Sequence, residues 1–136
     1  MSDETDVRPK EEGNEGRRAV QRVLLVEDEH AIAVGISMLL ELEGIAVQVV
    51  ARGAEAVPAM LTFLPDTVIL DVTLPDMSGA AVYREIAAAA PSMRVLFSSG
   101  HDDDSTIAPF FAPGRVAFLR KPYDFDQLMA ALGELT

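Results

Sequence analysis

From Val20 onward the chain alternates short apolar runs with longer stretches in which apolar residues recur at helical spacing. The runs are Arg22–Glu27, Ala46–Ala51, Thr67–Asp71, Arg94–Ser98 and Arg115–Arg120. Val68-Ile69-Leu70 and Val95-Leu96-Phe97 are apolar without interruption. Continuous apolar runs predict strands covered on both faces by helices. Between the runs the pattern predicts five helices. The first spans about His30–Leu42, with Ile32, Ile36, Leu39 and Leu40 on one stripe and Gly44 as its stop. The second starts near Gly53, with Pro58 close to its first turn. The third is Ala80–Ala90, with Val82 and Ile86 turned inward. The fourth, about Asp104–Phe111, is weakened by Pro109 inside it and Pro113-Gly114 after it. The fifth runs Phe125–Leu135, with Asp124 as N-cap and Gln127 in capping-box register. Strands alternating with helices of about 10–15 residues predict βαβ units and a parallel sheet. The expected fold class is α/β, a small doubly wound five-stranded sheet with five helices.

Met1–Arg18 is polar, has no period and holds three Gly or Pro breakers. It predicts a flexible polar tail over residues 1–20, ahead of a single domain over residues 21–136. A chain of 136 residues, 49% hydrophobic and 24% charged, has the core for one such domain.

Charge narrows the function. The whole chain carries 22 acids against 11 bases, and residues 23–136 carry 16 acids against six bases. A field of that sign repels phosphate backbones, so direct nucleic-acid binding is not expected, nor is docking on anionic membranes. The absence of cysteine excludes disulfides, thiolate metal sites and cysteine nucleophiles. The first 20 residues lack the apolar core of a secretory signal, and no apolar run reaches the about 18 residues of a membrane span. A cytoplasmic location is the expectation.

In a doubly wound sheet, ligands bind beyond the C-terminal ends of the strands. The first strand ends in Glu27-Asp28-Glu29, the third in Asp71, the fourth in Ser98-Ser99-Gly100 and the fifth in Lys121-Pro122. Taken singly, each has an ordinary explanation. Glu27 or Asp28 could cap a helix, and Asp71, Ser98 and Lys121 could be turn residues. Phe118 alone reads as a buried strand aromatic. If strands one and three are neighbours, however, Glu27, Asp28 and Asp71 converge. Mg²⁺ is the natural compensation for such a cluster, since it takes oxygen ligands and needs few carboxylates. Lys121 is the only lysine beyond the tail, and it could supply a compact cation to a phosphate, with Ser98 as hydroxyl donor. That set suits phosphoryl transfer to a carboxylate.

Four motifs now stand in order: Val26-Glu27-Asp28-Glu29, Asp71-Val72-Thr73-Leu74-Pro75-Asp76-Met77-Ser78-Gly79, Phe97-Ser98-Ser99-Gly100 and Phe118-Leu119-Arg120-Lys121-Pro122-Tyr123. Over about Arg22–Leu135 the chain resembles the receiver domains of two-component response regulators, in particular single-domain receivers like the chemotaxis regulators. The resemblance implies the strand order 2-1-3-4-5 of the flavodoxin-like fold, for which such a regulator is a standard example. It implies that Asp71 is the phosphoacceptor and that Asp28 binds Mg²⁺ directly. Glu27 would act at the metal, often through water, and the backbone carbonyl of Thr73 would complete the protein ligands. Lys121 would contact the phosphoryl oxygens, with its bond to Pro122 cis. Ser98 would be the switch hydroxyl, with Ser99 as the neighbouring alternative, and Phe118 the aromatic switch. Together they would alter the surface formed by helix four, strand five and helix five.

The resemblance implies a sensor histidine kinase or histidine phosphotransfer protein as donor and a downstream protein target. Helix one and the loops around Asp71 would receive the donor. The chain would be a phosphoacceptor with slow self-hydrolysis rather than an enzyme, acting as a monomer or a weak phosphorylation-dependent dimer. A phosphate relay or sink is a further role of the same kind. A stand-alone receiver is expected, because no segment long enough for an output module remains. The fourth helix departs from the family pattern, and Phe110 and Phe111 could be core or a partner patch. Two rivals differ at identifiable points. A haloacid-dehalogenase-type phosphatase needs a second Asp where Thr73 stands. A phosphorylation-independent interaction module on the same fold would fail to bind Mg²⁺. No glycine-rich dinucleotide fingerprint follows the first strand.

Overall fold

The computed structural model describes residues 19–100 and 104–135. The tail Met1–Arg18 and His101 lie outside the described residues. The elements in chain order are β1 (Arg22–Val26), α1 (His30–Leu42), β2 (Ala46–Val50), α2 (Ala56–Phe63), β3 (Thr67–Asp71), α3 (Gly79–Ala89), β4 (Arg94–Ser99), α4 (Asp104–Ile107), β5 (Val116–Arg120) and α5 (Phe125–Gly133). The strands form one parallel sheet in the order β2-β1-β3-β4-β5. This is the expected α/β class, order and number of helices.

The two-residue period of a strand sends alternate side chains to opposite faces. Leu24 and Val26 of β1, Val68 and Leu70 of β3, and Val95 and Phe97 of β4 enter one apolar layer, closed by Met60 of α2 and Val82 and Ile86 of α3. Val23, Leu25, Ile69 and Leu96 enter the other, closed by Ile36 and Leu40 of α1 and Leu128 and Leu132 of α5. Each large aliphatic side chain so buried stabilises the fold by about 1.5–3 kcal/mol. These two layers hold the strand ends, and hence the site residues, in fixed register.

The helices differ from the sequence pattern in two places. On α1 the buried stripe is Ala33, Ile36 and Leu40, whereas Ile32 and Leu39 are 36% and 42% exposed. Both lie about a quarter turn away from the sheet-facing line, beyond the reach of the β-sheet. The fourth helix is only Asp104–Ile107, followed by a 3₁₀ turn over Ala108–Phe110. Pro109 lacks the N–H that a continuing α-helix would use. Phe110 packs inward, with ring centroids 4.7 Å from Tyr83 and 6.2 Å from Phe97. Phe111 stays exposed and meets Phe118 at 5.8 Å. The two neighbouring aromatics therefore divide between core and surface.

Other local signals appear as the sequence implied. Gly44 adopts φ 84° after α1. Asp124 accepts from the Gln127 N–H at 2.8 Å, and the Asp124 N–H donates to Gln127 Oε1 at 2.8 Å, completing the capping box.

Candidate functional site

The site forms where β1 and β3, adjacent in the sheet, both end. Glu27 follows β1 and is buried, while Asp28 is exposed. Glu27 Oε2 accepts from the Glu29 N–H at 3.2 Å. Asp71 closes β3 and is 5% exposed. Its Oδ1 accepts from the Thr73 N–H at 3.1 Å.

The loop after Asp71 is held at several points. The Val72 N–H donates to the Ser98 carbonyl at 3.0 Å, and the Gly79 N–H donates to the Val72 carbonyl at 2.8 Å. A side chain at Gly79 would place its Cβ 2.7 Å from Val72 Cα, a backbone atom, so only glycine fits this approach. Ser78 caps α3 by accepting from the Ala81 N–H. Asp76 reaches across to the turn that leads into α2, accepting from the Gly53 N–H at 2.8 Å and the Ala54 N–H at 2.9 Å. Those two backbone bonds, that to Ala54 foremost, hold its carboxyl below the usual range.

Lys121 arrives from the end of β5, where its N–H donates to the Ser99 carbonyl at 2.7 Å. The Lys121–Pro122 peptide is cis. Lys121 Nζ stands 3.4 Å from Glu27 Oε1 and 3.4 Å from Asp71 Oδ2. Burial works to lower the lysine's pKa, but Asp71 and Glu27 outweigh it and hold it above its ordinary value. Burial, and then the charge of Asp71, pushes Glu27 up to about 6.

One carboxylate oxygen from each of Glu27, Asp28 and Asp71 lies within 4.8 Å of the others. Asp28 and Asp71 open onto a cavity of about 250 Å³ lined also by Glu29, Thr73, Gly100 and Lys121. The donors are hard oxygens, few in number and open to solvent on one side. That fits Mg²⁺, which keeps several waters and takes one or two carboxylates. Transition metals that favour sulfur or imidazole find neither among these residues.

Ser98 lies directly opposite Asp71 across the β3–β4 pair. It is buried, and its Oγ makes no hydrogen bond of good geometry. Ser99, the alternative, is also buried. Phe118 is not buried as a strand aromatic usually is. It is 37% exposed, 5.8 Å from Phe97 and outside the cavity wall. Its strand partner is Phe97, and Phe111 stands beside it on the surface face of β5.

The structure thus brings together Glu27, Asp28, Asp71, Thr73 and Lys121 in one crevice, with Ser98 behind it and Phe118 on an outer face. Sequence reasoning gave no role to Asp76, Glu29 or Tyr123. Asp76 stands inside the third-strand motif, but its partners Gly53 and Ala54 are 23 and 22 residues away. No local spacing reveals that pairing.

A family model for the response regulator receiver domain matches residues 23–133. The chain belongs to that family. It is 35% identical over 115 residues to a segment of the sensor kinase CckA of Brucella abortus, covering 83% of this chain and 12% of the relative. It is 34% identical over 111 residues to the cell cycle transcriptional regulator CtrA of Caulobacter vibrioides, covering 82% of this chain and 48% of the relative. The chain therefore spans about half the length, or less, of these curated relatives. Among solved structures, a response regulator receiver domain protein from Clostridium thermocellum superposes with a TM-score of 0.76 at 30% identity, over 83% of this chain and 91% of that one. No helix among the described residues is long and apolar enough to cross a membrane.

Proposed function

We propose that this chain is a phosphoacceptor of two-component signalling, modified on Asp71 by a histidine kinase or histidine phosphotransfer protein. The observation that carries this reading is Lys121 Nζ held at 3.4 Å from both Asp71 and Glu27, with Asp28 beside them. A carboxylate oxygen of Asp71 attacks the phosphorus of a phosphohistidine, and the P–N bond breaks. The electron pair leaves with the imidazole, which takes up a proton, and an acyl phosphate remains on Asp71. The ammonium of Lys121 neutralises charge on the transferred oxygens. The Thr73 N–H fixes the orientation of the Asp71 carboxylate before transfer.

Glu27, Asp28, Asp71 and the Thr73 carbonyl are the groups that would hold Mg²⁺. When bound, the cation supplies further charge neutralisation for the phosphoryl group. Ser98 is the hydroxyl available to the modified Asp71, and Phe118 the aromatic whose position follows it. The chain acts through protein–protein contact, with the exposed pair Phe111 and Phe118 on the outgoing face. The donor docks on α1, where Ile32, Val34, Met38, Leu39 and Leu42 are all exposed. A cytoplasmic location, the absence of turnover beyond slow self-hydrolysis, and a monomer or weak phosphorylation-dependent dimer complete the reading.

The test is to incubate the protein with Mg²⁺ and acetyl phosphate and weigh it intact beside Asp71→Asn. One phosphoryl group on the wild type, absent from the variant and lost when Mg²⁺ is chelated, is the expected result. No adduct together with no Mg²⁺ binding would overturn it in favour of a phosphorylation-independent module.

A further inference from the structure

The connection between β3 and α3 is a small hairpin, closed where Thr73 and Ser78 pair as an antiparallel bridge. Its base stands at the site, where the Thr73 N–H donates to Asp71 Oδ1 at 3.1 Å. Thr73, Pro75, Asp76 and Ser78 are exposed, so little burial holds the hairpin. Exposed loops of this kind open locally at small cost. Its tip, however, reaches a different connection. Asp76 spreads its two carboxylate oxygens over the 3₁₀ turn Gly53–Glu55, Oδ1 on the Gly53 N–H and Oδ2 on the Ala54 N–H. Gly53 is buried, and a Cβ there would run into Met77 and stand 2.6 Å from Val82 Cγ2. Turn and hairpin tip therefore meet through hydrogen bonds and close packing together.

We infer that Asp76 is a positioning residue for the metal site, bracing the hairpin that carries Thr73 against the turn that leads into α2. This rests on the proposed Mg²⁺ site, of which the Thr73 carbonyl is one ligand, and adds what holds that carbonyl in place. A ligand atom on an exposed loop binds a cation well only if the loop is ordered beforehand, because ordering otherwise draws on the binding free energy. Bonds from backbone N–H groups to a carboxylate are charge-assisted, and one to each oxygen fixes its direction as well as its place. The bonds from Ala54 and Gly53 also hold the carboxyl below its usual range, so Asp76 is ionised at neutral pH. The link is reciprocal. If the braced hairpin binds Mg²⁺ more tightly than the open one, Mg²⁺ holds the brace closed by the same factor. Occupancy of the site at Asp71 is thereby felt at the turn before α2.

The full chain is compared with Asp76→Ala and Asp76→Asn by calorimetric titration of Mg²⁺, and the wild type by amide hydrogen exchange with and without Mg²⁺. Asp76→Ala should bind Mg²⁺ about three- to tenfold more weakly, less than the roughly 10–100-fold typical of a group bonded directly to a metal ligand. Asp76→Asn keeps one acceptor, so its affinity should fall between Asp76→Ala and wild type. Both variants lose the same charge. An equal loss in the two would show that the carboxylate acts through charge alone, and would overturn the inference. So would Mg²⁺ affinity within about twofold of wild type in Asp76→Ala. In the wild type, saturating Mg²⁺ should slow exchange of the Gly53 and Ala54 amides by the same factor, about three- to tenfold. The Gly44 amide, bonded to the Glu41 carbonyl at the end of α1, should not change. A merely structural Asp76 predicts no such selectivity, so exchange that Mg²⁺ leaves unaltered, or slows equally at all three amides, overturns the inference. Wild type that binds no Mg²⁺ removes the proposed metal site as well, whereas Mg²⁺ binding without the Asp76 effects removes this inference alone. Thermal unfolding shows whether each variant keeps the fold, and the exchange measurement needs no variant.

Discussion

Lys121 and Asp71 are 50 positions apart, yet Lys121 Nζ stands 3.4 Å from Asp71 Oδ2. The same nitrogen is 3.4 Å from Glu27 Oε1, so one cation is shared by carboxylates at the ends of two other strands. Both acids are buried, while the lysine side chain is 23% exposed. Removing one partner of a buried pair typically costs about 3–5 kcal/mol, and solvent at the lysine reduces that here to about 2–3 kcal/mol. Lys121→Met should therefore destabilise the metal-free protein at neutral pH by about that amount. Mg²⁺ should restore most of the loss, because it replaces the missing positive charge. Urea unfolding with and without Mg²⁺ measures both effects. A loss of stability that Mg²⁺ leaves untouched would show that the lysine acts through packing alone.

Glu27 gives the site a pH dependence whose sign follows from its shift. Its ordinary value is 4.5, and in the folded chain it is pushed up to about 6. The folded state binds the proton more tightly, so proton uptake stabilises it fully below about 4.5, and that stabilisation is lost as pH rises through about 6. Metal binding runs the opposite way, since a cation needs the ionised carboxylate. Mg²⁺ affinity should be flat above pH about 6.5 and fall below it, by up to about tenfold per pH unit. Calorimetry in buffers of different ionisation enthalpy should detect proton release on binding near pH about 5.5 and almost none near pH about 7.5. Glu27→Gln should abolish the release. Equal proton release at both pH values would sink the assignment.

Much of this is legible in the chain, and the reason is local. Strand ends are announced by where an apolar run stops, so the pattern alone puts Glu27, Asp71, Ser98 and Lys121 at the ends of strands. The strand order then decides which ends meet, and the family resemblance implies that order. What stays hidden depends on distances between segments. Asp76 capping Gly53 and Ala54 joins residues from two separate connections. The exposure of Ile32 and Leu39 is hidden for a different reason. An apolar residue is compatible with either face of α1, and only the width of the sheet beneath it shows which side is covered.

Gly79 is fixed by close approach rather than by a positive φ. Its Cβ would meet Val72 Cα at 2.7 Å and the Asp71 carbonyl oxygen at 2.9 Å. Neither is the movable end of a side chain. Gly79→Ala should push the loop away from β3 and cost about 1–3 kcal/mol, the range for overpacking. Because that loop carries the Thr73 N–H that orients Asp71, Mg²⁺ affinity should fall along with stability. Denaturant unfolding and a metal titration on the same variant check both. Full stability would mean that α3 can shift without strain.

Leu64 offers a change in the other direction. It ends α2 with φ 57°, a left-handed conformation that a non-glycine residue adopts at a cost of about 1 kcal/mol. The side chain is 69% exposed and contributes little burial in return. Its carbonyl accepts from Arg22 Nε at 3.3 Å, a bond that any residue can provide. Leu64→Gly should stabilise the fold by about 0.5–1 kcal/mol and raise the unfolding temperature by a few degrees. An unchanged or lower temperature would mean that the added freedom of the unfolded glycine offsets the relief.

The outward side of α1 separates docking from chemistry. Val34, Met38 and Leu42 recur every four residues and are 41%, 59% and 80% exposed. No charged residue lies between Ala31 and Leu40. A helix with so few polar positions loses apolar contact to water unless a partner covers it. None of these side chains lines the cavity at Asp71. Met38→Arg should therefore leave modification by acetyl phosphate unchanged, because a small donor needs only the cavity. Transfer from a phosphorylated histidine protein that modifies the wild type should fall by about tenfold or more, since a charge in the centre of an apolar interface is desolvated without a partner. Quenched-flow rates for the two donors, measured on one preparation, give the comparison. Equal rates for wild type and variant from the protein donor would move the docking surface off α1, and slower rates from both donors would show that the substitution reached the site itself.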